Sequence, residues 1–195
     1  MKRFALTIAA LLSTGLGLAA PAPGTYQLDK AHSKFVFEVG HLVFSSVEGR
    51  FKQFDGTITL GPKANQVDVK VEAQVDSIDT DEPKRDSHLK SPDFFDLEKH
   101  PKLTFVSKKV EGDLGKNFKI FGDLTIRGVT KSVVFEAQFL GQATDPWGVT
   151  HYAYKANTLI DRAEYGLVWN KMVTEGPVVG DQVTIRLTLE LVQAK

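Results

Sequence analysis

The chain contains no cysteine. Without thiols it can form no disulfide framework, no thiolate nucleophile and no zinc–thiolate site. The fold must therefore be held by an apolar core. A hydrophobic content of 42% is sufficient for such a core and argues against a disordered chain.

The sequence also lacks an excess of charge of either sign, because 24 Lys and Arg residues balance 24 Asp and Glu residues. A general nucleic-acid-binding protein needs a basic excess, so we expect no nucleic-acid partner. Apolar runs stay below the roughly 18 residues that a transmembrane helix needs.

Motifs for catalysis and cofactor binding are missing as well. The chain has no Gly-x-Ser-x-Gly elbow, phosphate-binding loop or dinucleotide fingerprint. Its five histidines form no His-x-His or His-x-x-x-His pair, so we predict no metal site and no cofactor. A site assembled from distant strands stays open, with His32, His41 and His88 as the obvious trio.

Residues 85–88 read Arg-Asp-Ser-His and could be mistaken for a hydrolytic triad. Neighbours one and two positions apart on a helix do not face each other, so a nucleophile there would lack its base. We therefore predict no catalytic residue, and interpret this segment as a polar helix at the mouth of the fold.

The N-terminal segment has the layout of a secretory signal peptide. Lys2 and Arg3 are followed by an apolar stretch from Phe4 to about Leu12 and then by small residues. We predict a cleaved, Sec-type signal peptide at 1–19, followed by a single domain at 20–195. The protein is then expected in the bacterial periplasm or outside the cell.

The rest of the chain shows the period-two alternation of β-strands with one apolar and one polar face. Residues 67–75 and 183–191 are the clearest cases. We predict eight strands, with a bend near 29–33 and a bulge between Phe51 and Phe54: 25–40, 48–60, 66–76, 102–111, 117–127, 131–144, 148–161 and 181–193.

Two stretches break the strand pattern. In 79–101, Asp81 is expected to cap a short helix through Leu89, and Ser91-Pro92 to begin another turn. A short helix and a loop are expected in 162–180. Eight amphipathic strands can close into a barrel or stack as a sandwich. Short loops between successive strands favour an all-β, antiparallel up-and-down barrel, because closure removes exposed strand edges. A barrel of this size holds side chains or one slender ligand.

The order of motifs along the chain resembles the YceI-like family. No single motif is specific, but the ordered set spans nearly the whole predicted domain. The matching segments are YQLDKAHS at 26–33, FEVGH at 37–41, GRF at 49–51, FDG at 54–56, SIDT at 77–80, RDSHLKS at 85–91, DFF at 93–95, PKLTF at 101–105, GDLTIRGVTK at 122–131 and RAEYG at 162–166.

The resemblance implies an extended lipocalin-like barrel with a long internal tunnel, and no established enzyme activity. The implied ligand is a long-chain amphiphile, such as a polyisoprenoid, an isoprenoid quinone or a fatty amide or acid. The inward strand faces and one loop aromatic would then line the tunnel: Phe35, Phe37, Val39, Phe51, Ile58, Val69, Val71, Phe94, Phe105, Ile120, Leu124, Phe135, Tyr154, Ile185 and Leu187.

Head-group recognition is expected at the mouth, from His32, Arg85, Asp86 and His88. For Arg85 and His88, anchoring of the helix to the barrel rim is the alternative. We expect a monomer or homodimer with at most transient membrane contact. Two other functions stay open: an enzyme or redox-linked protein acting on such a lipid, and a structural or stress-related barrel filled by its own side chains.

Overall fold

The computed structural model describes residues 20–63, 66–174 and 176–194. The predicted signal peptide, 1–19, lies outside the described residues. Within the described part, no helix combines the length and apolarity needed to cross a membrane.

The described chain is built almost entirely of strands, with one α-helix and two 3₁₀ turns at 75–77 and 162–165. The elements in chain order are β1 (Gly24–Leu28), β2 (Lys34–His41), β3 (Ser45–Phe51), β4 (Phe54–Leu60), β5 (Val67–Gln74), β6 (Ile78–Asp79), α1 (Pro83–Lys90), β7 (Lys102–Gly112), β8 (Asn117–Ile126), β9 (Val129–Thr144), β10 (Thr150–Asp161), β11 (Met172–Val173), β12 (Gly176–Pro177) and β13 (Val179–Gln193).

These segments form a closed antiparallel barrel of eight strands. β1 with β2, β3 with β4, and β5 with β6 each make one interrupted barrel strand, and β7, β8, β9, β10 and β13 supply the other five. The sheet closes because β13 pairs with both β1 and β2 on one side and with β10 on the other. The predicted eight-stranded up-and-down barrel with a short helix is confirmed.

The local predictions were partly wrong. The bend at 29–33 separates β1 from β2 as expected. Between Phe51 and Phe54, however, the strand breaks rather than bulges, because the N–H groups of Lys52 and Gln53 donate to the backbone and side chain of Ser77, respectively. The segment 162–180 contains a 3₁₀ turn and a small β11–β12 hairpin instead of a regular helix.

The cap of α1 also differs from the prediction. Glu82, not Asp81, is the N-cap, and its carboxylate accepts a hydrogen bond of 2.6 Å from the backbone N–H of Arg85. Asp81 adopts a left-handed φ of 60° immediately before the helix. The chain therefore turns sharply at Asp81 and begins the helix one residue later, with Pro83 at its first position, where a missing N–H costs nothing.

Glycines inside the barrel make room for large neighbours. A Cβ at Gly49 would lie 2.3 Å from the Phe37 ring, and one at Gly122 would lie 2.5 Å from both the Phe105 ring and the carbonyl oxygen of Val106. These rings occupy the space that an inward side chain of the glycine would fill. Phenylalanine and glycine thus pack as complementary pairs on adjacent strands.

Replacing Gly122 with alanine is expected to destabilise the barrel by about 1–3 kcal/mol, because the Phe105 ring and the β7 backbone must shift. Gly40→Ala is the control, since its Cβ would meet no atom closer than 3.9 Å. The control should change stability by less than about 0.5 kcal/mol. Urea unfolding measures both, and equal free energies of unfolding for the two variants would contradict this packing account.

Candidate functional site

The interior of the barrel contains two apolar cavities. The helix-end cavity, of about 90 Å³, lies beneath α1, and the loop-end cavity, of about 70 Å³, lies at the opposite end. Along β8, Ile120 lines the loop-end cavity and Ile126 the helix-end cavity, with Leu124 between them lining neither. The apolar lining therefore runs along the whole bore, but the free space inside the bore is split into two separate cavities.

All fifteen predicted lining residues face this interior or pack against its core. They fall into three layers from one end to the other. Phe35, Phe37, Val39, Phe51, Phe94 and Ile185 line the helix-end cavity; Phe105, Leu124, Phe135 and Leu187 lie between the cavities; and Ile58, Val69, Val71, Ile120 and Tyr154 line the loop-end cavity.

The layer between the cavities is closed by aromatic packing. The rings of Phe105 and Phe135 meet edge to face at 5.1 Å, and both side chains are buried. An apolar cavity of roughly 150 Å³ holds one benzene-sized molecule. Each cavity here is smaller, so a long chain can occupy the bore only if side chains of this middle layer change rotamer.

The mouth of the helix-end cavity is formed by aromatic side chains and a histidine. Phe94 and Phe95 are both buried there. The ring of Trp169 lies 5.3 Å from Phe94 and 4.8 Å from His88, and the His88 Nε2 atom lies 2.9 Å from an oxygen of Asp93. His88 is thus placed at the mouth, with one nitrogen held by a carboxylate.

Arg162 is a buried cation at the edge of the helix-end cavity, with only 4% of its surface exposed. Its guanidinium donates to the carbonyl oxygens of Leu167, Trp169, Val179 and Gly180 and to the carboxylate of Asp181. These five bonds use all the N–H groups of the side chain. Arg162 therefore fastens the loop that carries Trp169 to the start of β13.

Two of the predicted head-group residues serve as anchors of α1. Arg85 donates from Nε to the Thr80 hydroxyl at 2.8 Å and from a terminal nitrogen to the Thr80 carbonyl at 2.7 Å. Asp86 accepts from the backbone N–H and the hydroxyl of Thr80 at 2.9 and 2.6 Å. Both side chains thus tie the helix to the residue that follows β6. Such anchoring of the helix was the alternative expectation for Arg85.

His32 lies away from these three residues. Its Nδ1 is 2.8 Å from the Asp29 carboxylate, which raises the pKa of His32 and lowers that of Asp29, because the hydrogen bond favours both charged forms. Its ring faces His151 at 6.5 Å. The trio His32, His41 and His88 is not brought together, since His41 contacts Ser45 at 3.3 Å and His88 contacts Asp93.

The bore itself offers an uncharged, oily environment. Burial raises the pKa of Tyr154 in the loop-end cavity, so its phenol stays protonated at physiological pH. The helix-end cavity is apolar apart from the fully hydrogen-bonded Arg162. This arrangement solvates a hydrocarbon chain and disfavours a bound charge inside the bore.

Sequence reasoning missed several residues of this mouth. Leu89, Leu167 and Arg162 line the helix-end cavity but were not predicted to do so. Arg162 stands at the end of a long apolar strand, within the RAEYG segment, and such a position is the one sequence signal of its burial. Its five acceptors come from a loop that only the fold brings back to it.

Thr80→Val is expected to loosen α1, because it removes the hydroxyl that binds both Arg85 and Asp86. Hydrogen bonds to charged groups contribute roughly 1.5–3 kcal/mol, so amide exchange in 83–90 should accelerate about tenfold or more. Ser87→Ala, which removes an exposed hydroxyl bonded to the Pro83 carbonyl, is the control. Unchanged exchange in Thr80→Val would contradict the anchoring role.

Comparison with known proteins gives a consistent family assignment. Residues 26–191 match the YceI-like domain. The Protein YceI of Escherichia coli O17:K52:H18 is 38% identical over 194 residues, covering 97% of this chain and 96% of that protein. The Protein YceI of Salmonella newport is 36% identical over 193 residues, with the same coverage.

Solved structures share the barrel. BcnA of Burkholderia cenocepacia has a TM-score of 0.71 at 23% identity, covering 84% of this chain and 98% of that one. The Campylobacter jejuni YceI protein has a TM-score of 0.69 at 30% identity, covering 86% and 97%. A polyisoprenoid binding domain from Saccharophagus degradans, implicated in plant cell wall breakdown, has a TM-score of 0.66 at 15% identity, covering 87% and 98%.

Proposed function

The chain belongs to the YceI-like family, and from that premise we propose that it binds one long-chain apolar molecule in the bore of its barrel. The observation that carries the proposal is the unbroken apolar lining from the helix-end to the loop-end cavity. The ligand class is a polyisoprenoid, an isoprenoid quinone or a fatty amide or acid. The role is carriage or sequestration rather than catalysis.

The energetics of burial support this proposal. Each methylene transferred from water to an apolar interior contributes about 0.8 kcal/mol. A chain that spans both cavities therefore gains enough to offset the cost of displacing the Phe105 and Phe135 rings. A structural neighbour from Saccharophagus degradans is itself described as a polyisoprenoid binding domain, which agrees with this ligand class. The layout of 1–19 supports action in the periplasm.

Access is proposed at the helix end. There the cavity is covered by α1, Phe94 and the loop carrying Trp169, whereas strands wall the bore along its length. His88 and Asp93 lie at this mouth beside Trp169 and are the proposed contacts for the head group of a ligand. A filled barrel that binds nothing is the second candidate, and the small volume of both cavities favours it.

The first experiment is native mass spectrometry of the protein isolated from its own host, followed by organic extraction. A discrete adduct with the mass of an isoprenoid or long-chain lipid is expected. A long chain gains more free energy from burial than a short one and should therefore remain bound during isolation. A bare protein mass that persists after incubation with quinones and fatty amides would support the filled barrel instead.

Tryptophan fluorescence tests the access route. Trp147→Phe leaves Trp169 as the reporter at the mouth, and Trp169→Phe leaves Trp147, which is 86% exposed. Titration with alkyl chains of increasing length should change the emission of Trp169 alone. Affinity should rise about fourfold per methylene until the bore is full. Affinity independent of chain length, or a signal from Trp147 only, would contradict the proposal.

An exposed apolar turn next to the mouth is proposed as the point of transient membrane contact. We call Leu42, Val43 and Phe44 the apolar tip; Val43 is 71% and Phe44 82% exposed. Leu42 and Val43 both adopt left-handed φ values, of 50° and 69°, which are strained for such side chains. The Leu42 N–H donates to the Val178 carbonyl, beside the cavity-lining Val179.

Replacing Leu42 with Asn and Val43 with Gly should stabilise the fold by about 1–3 kcal/mol, because both residues tolerate left-handed backbone. The same double variant should slow transfer of a bound quinone to phosphatidylcholine vesicles. Trp147→Ser is the matched control, since it removes an exposed apolar side chain at the other end. Transfer rates that fall equally in the control would contradict contact through the apolar tip.

A further inference from the structure

A cluster of ionisable side chains lies on the outer face of the barrel, at the seam where the first strand meets the last. We call it the seam cluster: Asp29, His32, Asp145, His151 and Glu190. Glu190 points outward, since its neighbours Leu189 and Leu191 line the loop-end cavity. Asp29 and His32 belong to the turn between β1 and β2, and His151 follows the turn that contains Asp145. The cluster is therefore separate from the bore.

His151 occupies the centre of the seam cluster. Its Nδ1 atom lies 3.3 Å from an oxygen of Glu190 and 3.8 Å from an oxygen of Asp29. This nitrogen is buried and has no hydrogen-bond partner among the described residues. Its other nitrogen, Nε2, faces Asp145 at 3.4 Å. An imidazole nitrogen therefore points between two carboxylates, within ion-pair distance of both but with a hydrogen bond to neither.

The carboxylates are held in place by backbone groups. Asp145 accepts from the N–H groups of Trp147 and Val149, and Asp29 accepts from that of Ala31. The N–H of Asp29 donates to the carbonyl of Glu190 at 2.8 Å. The turns therefore orient the carboxylates of Asp29 and Asp145, and the strand pairing places the backbone of Glu190 beside Asp29.

The charge of the seam cluster is left uncompensated by fixed cations. Within the described ranges, the ion pairs of Asp29, Asp145 and Glu190 involve only histidines and no lysine or arginine. Three partly buried carboxylates that converge on one imidazole repel one another unless a positive charge lies between them. A metal ion bound between them can supply it.

We propose that Asp29, His151 and Glu190 bind a divalent transition-metal ion of the zinc type. Their ligand atoms all lie within 4.8 Å of one another. Zinc bonds of about 2.0–2.2 Å in tetrahedral geometry place ligand atoms roughly 3.3 Å apart, close to the separations observed around His151 Nδ1. Mixed imidazole and carboxylate ligands suit zinc and its first-row neighbours.

The remaining members of the seam cluster have defined roles in this site. Asp145 accepts from the Nε2–H of His151, which leaves Nδ1 deprotonated for the ion; such carboxylate–histidine–metal arrangements orient the ligand. His32 lies on the solvent side, where its Nδ1 is 2.8 Å from the Asp29 carboxylate and holds that ligand, and a water molecule completes the coordination of the ion. The ion then cross-links the β1–β2 turn to β10 and β13, across the seam of the barrel.

The site is tested on the full chain without a histidine tag, freed of metal by a chelator and titrated with ZnCl₂ by calorimetry. One equivalent is expected to bind. The melting temperature should rise by about 5–10 °C at a hundredfold excess of ion over Kd. No heat and no thermal shift with zinc would overturn the proposal.

Variants locate the ion. Glu190→Gln and His151→Ala should each lose the zinc-dependent shift, and Asp145→Asn should weaken affinity about 10–100-fold. His41→Ala and Glu48→Gln are the matched controls, because they remove the same side-chain types outside the seam cluster. Circular dichroism of the metal-free variants verifies folding, and the isosteric Glu190→Gln keeps the test valid if His151→Ala does not fold. Unchanged zinc binding in Glu190→Gln would also overturn the proposal.

Discussion

The pairing of β13 with both halves of the first strand is the constraint on which the rest of the structure depends. Residues 183–188 of β13 bind β2, and 191–193 bind β1, so one long strand seals the sheet along its full length. Closure satisfies the edge backbone groups and turns one face of every strand into a buried bore. Both proposed sites follow from it: one lies inside the bore and the other across the seam.

The side chains inside the bore stabilise the empty barrel and at the same time limit the space for a ligand. Inward glycines accept the rings of Phe37 and Phe105, and the pair Phe105–Phe135 fills the middle layer, so the barrel has a packed core without any ligand. A chain-shaped molecule must displace part of this core. Aromatic side chains are suited to that exchange, since a ring that rotates about χ1 can leave an apolar wall intact for the ligand. The proposed binding mode therefore requires a barrel that is folded when empty and that rearranges its middle layer to admit a ligand.

The charged groups at the helix-end mouth and in the seam cluster differ in how completely they are paired. Arg162 is buried yet tolerated, because five acceptors meet its five N–H groups, and it fixes the loop over the helix-end mouth. The seam cluster is the opposite case, since its acidic groups outnumber the fixed positive charges around them. A buried cation that is fully bonded serves structure, whereas the His151 Nδ1 atom, which is buried without a hydrogen bond, is the observation on which the proposed metal site rests.

The sequence by itself determined that the chain forms amphipathic strands and which of their residues face inward, because period-two alternation is a local property that burial on one face imposes on each strand. It favoured a barrel over a sandwich only through the short connections between successive strands. Resemblance of ordered motifs also placed the chain in its family. Only the tertiary structure decided that the bore is divided by Phe105 and Phe135, that Arg85 and Asp86 bind Thr80, and that Asp29, His151 and Glu190 meet. Those contacts join residues far apart in the chain, and their partners are set by register and closure rather than by any local pattern.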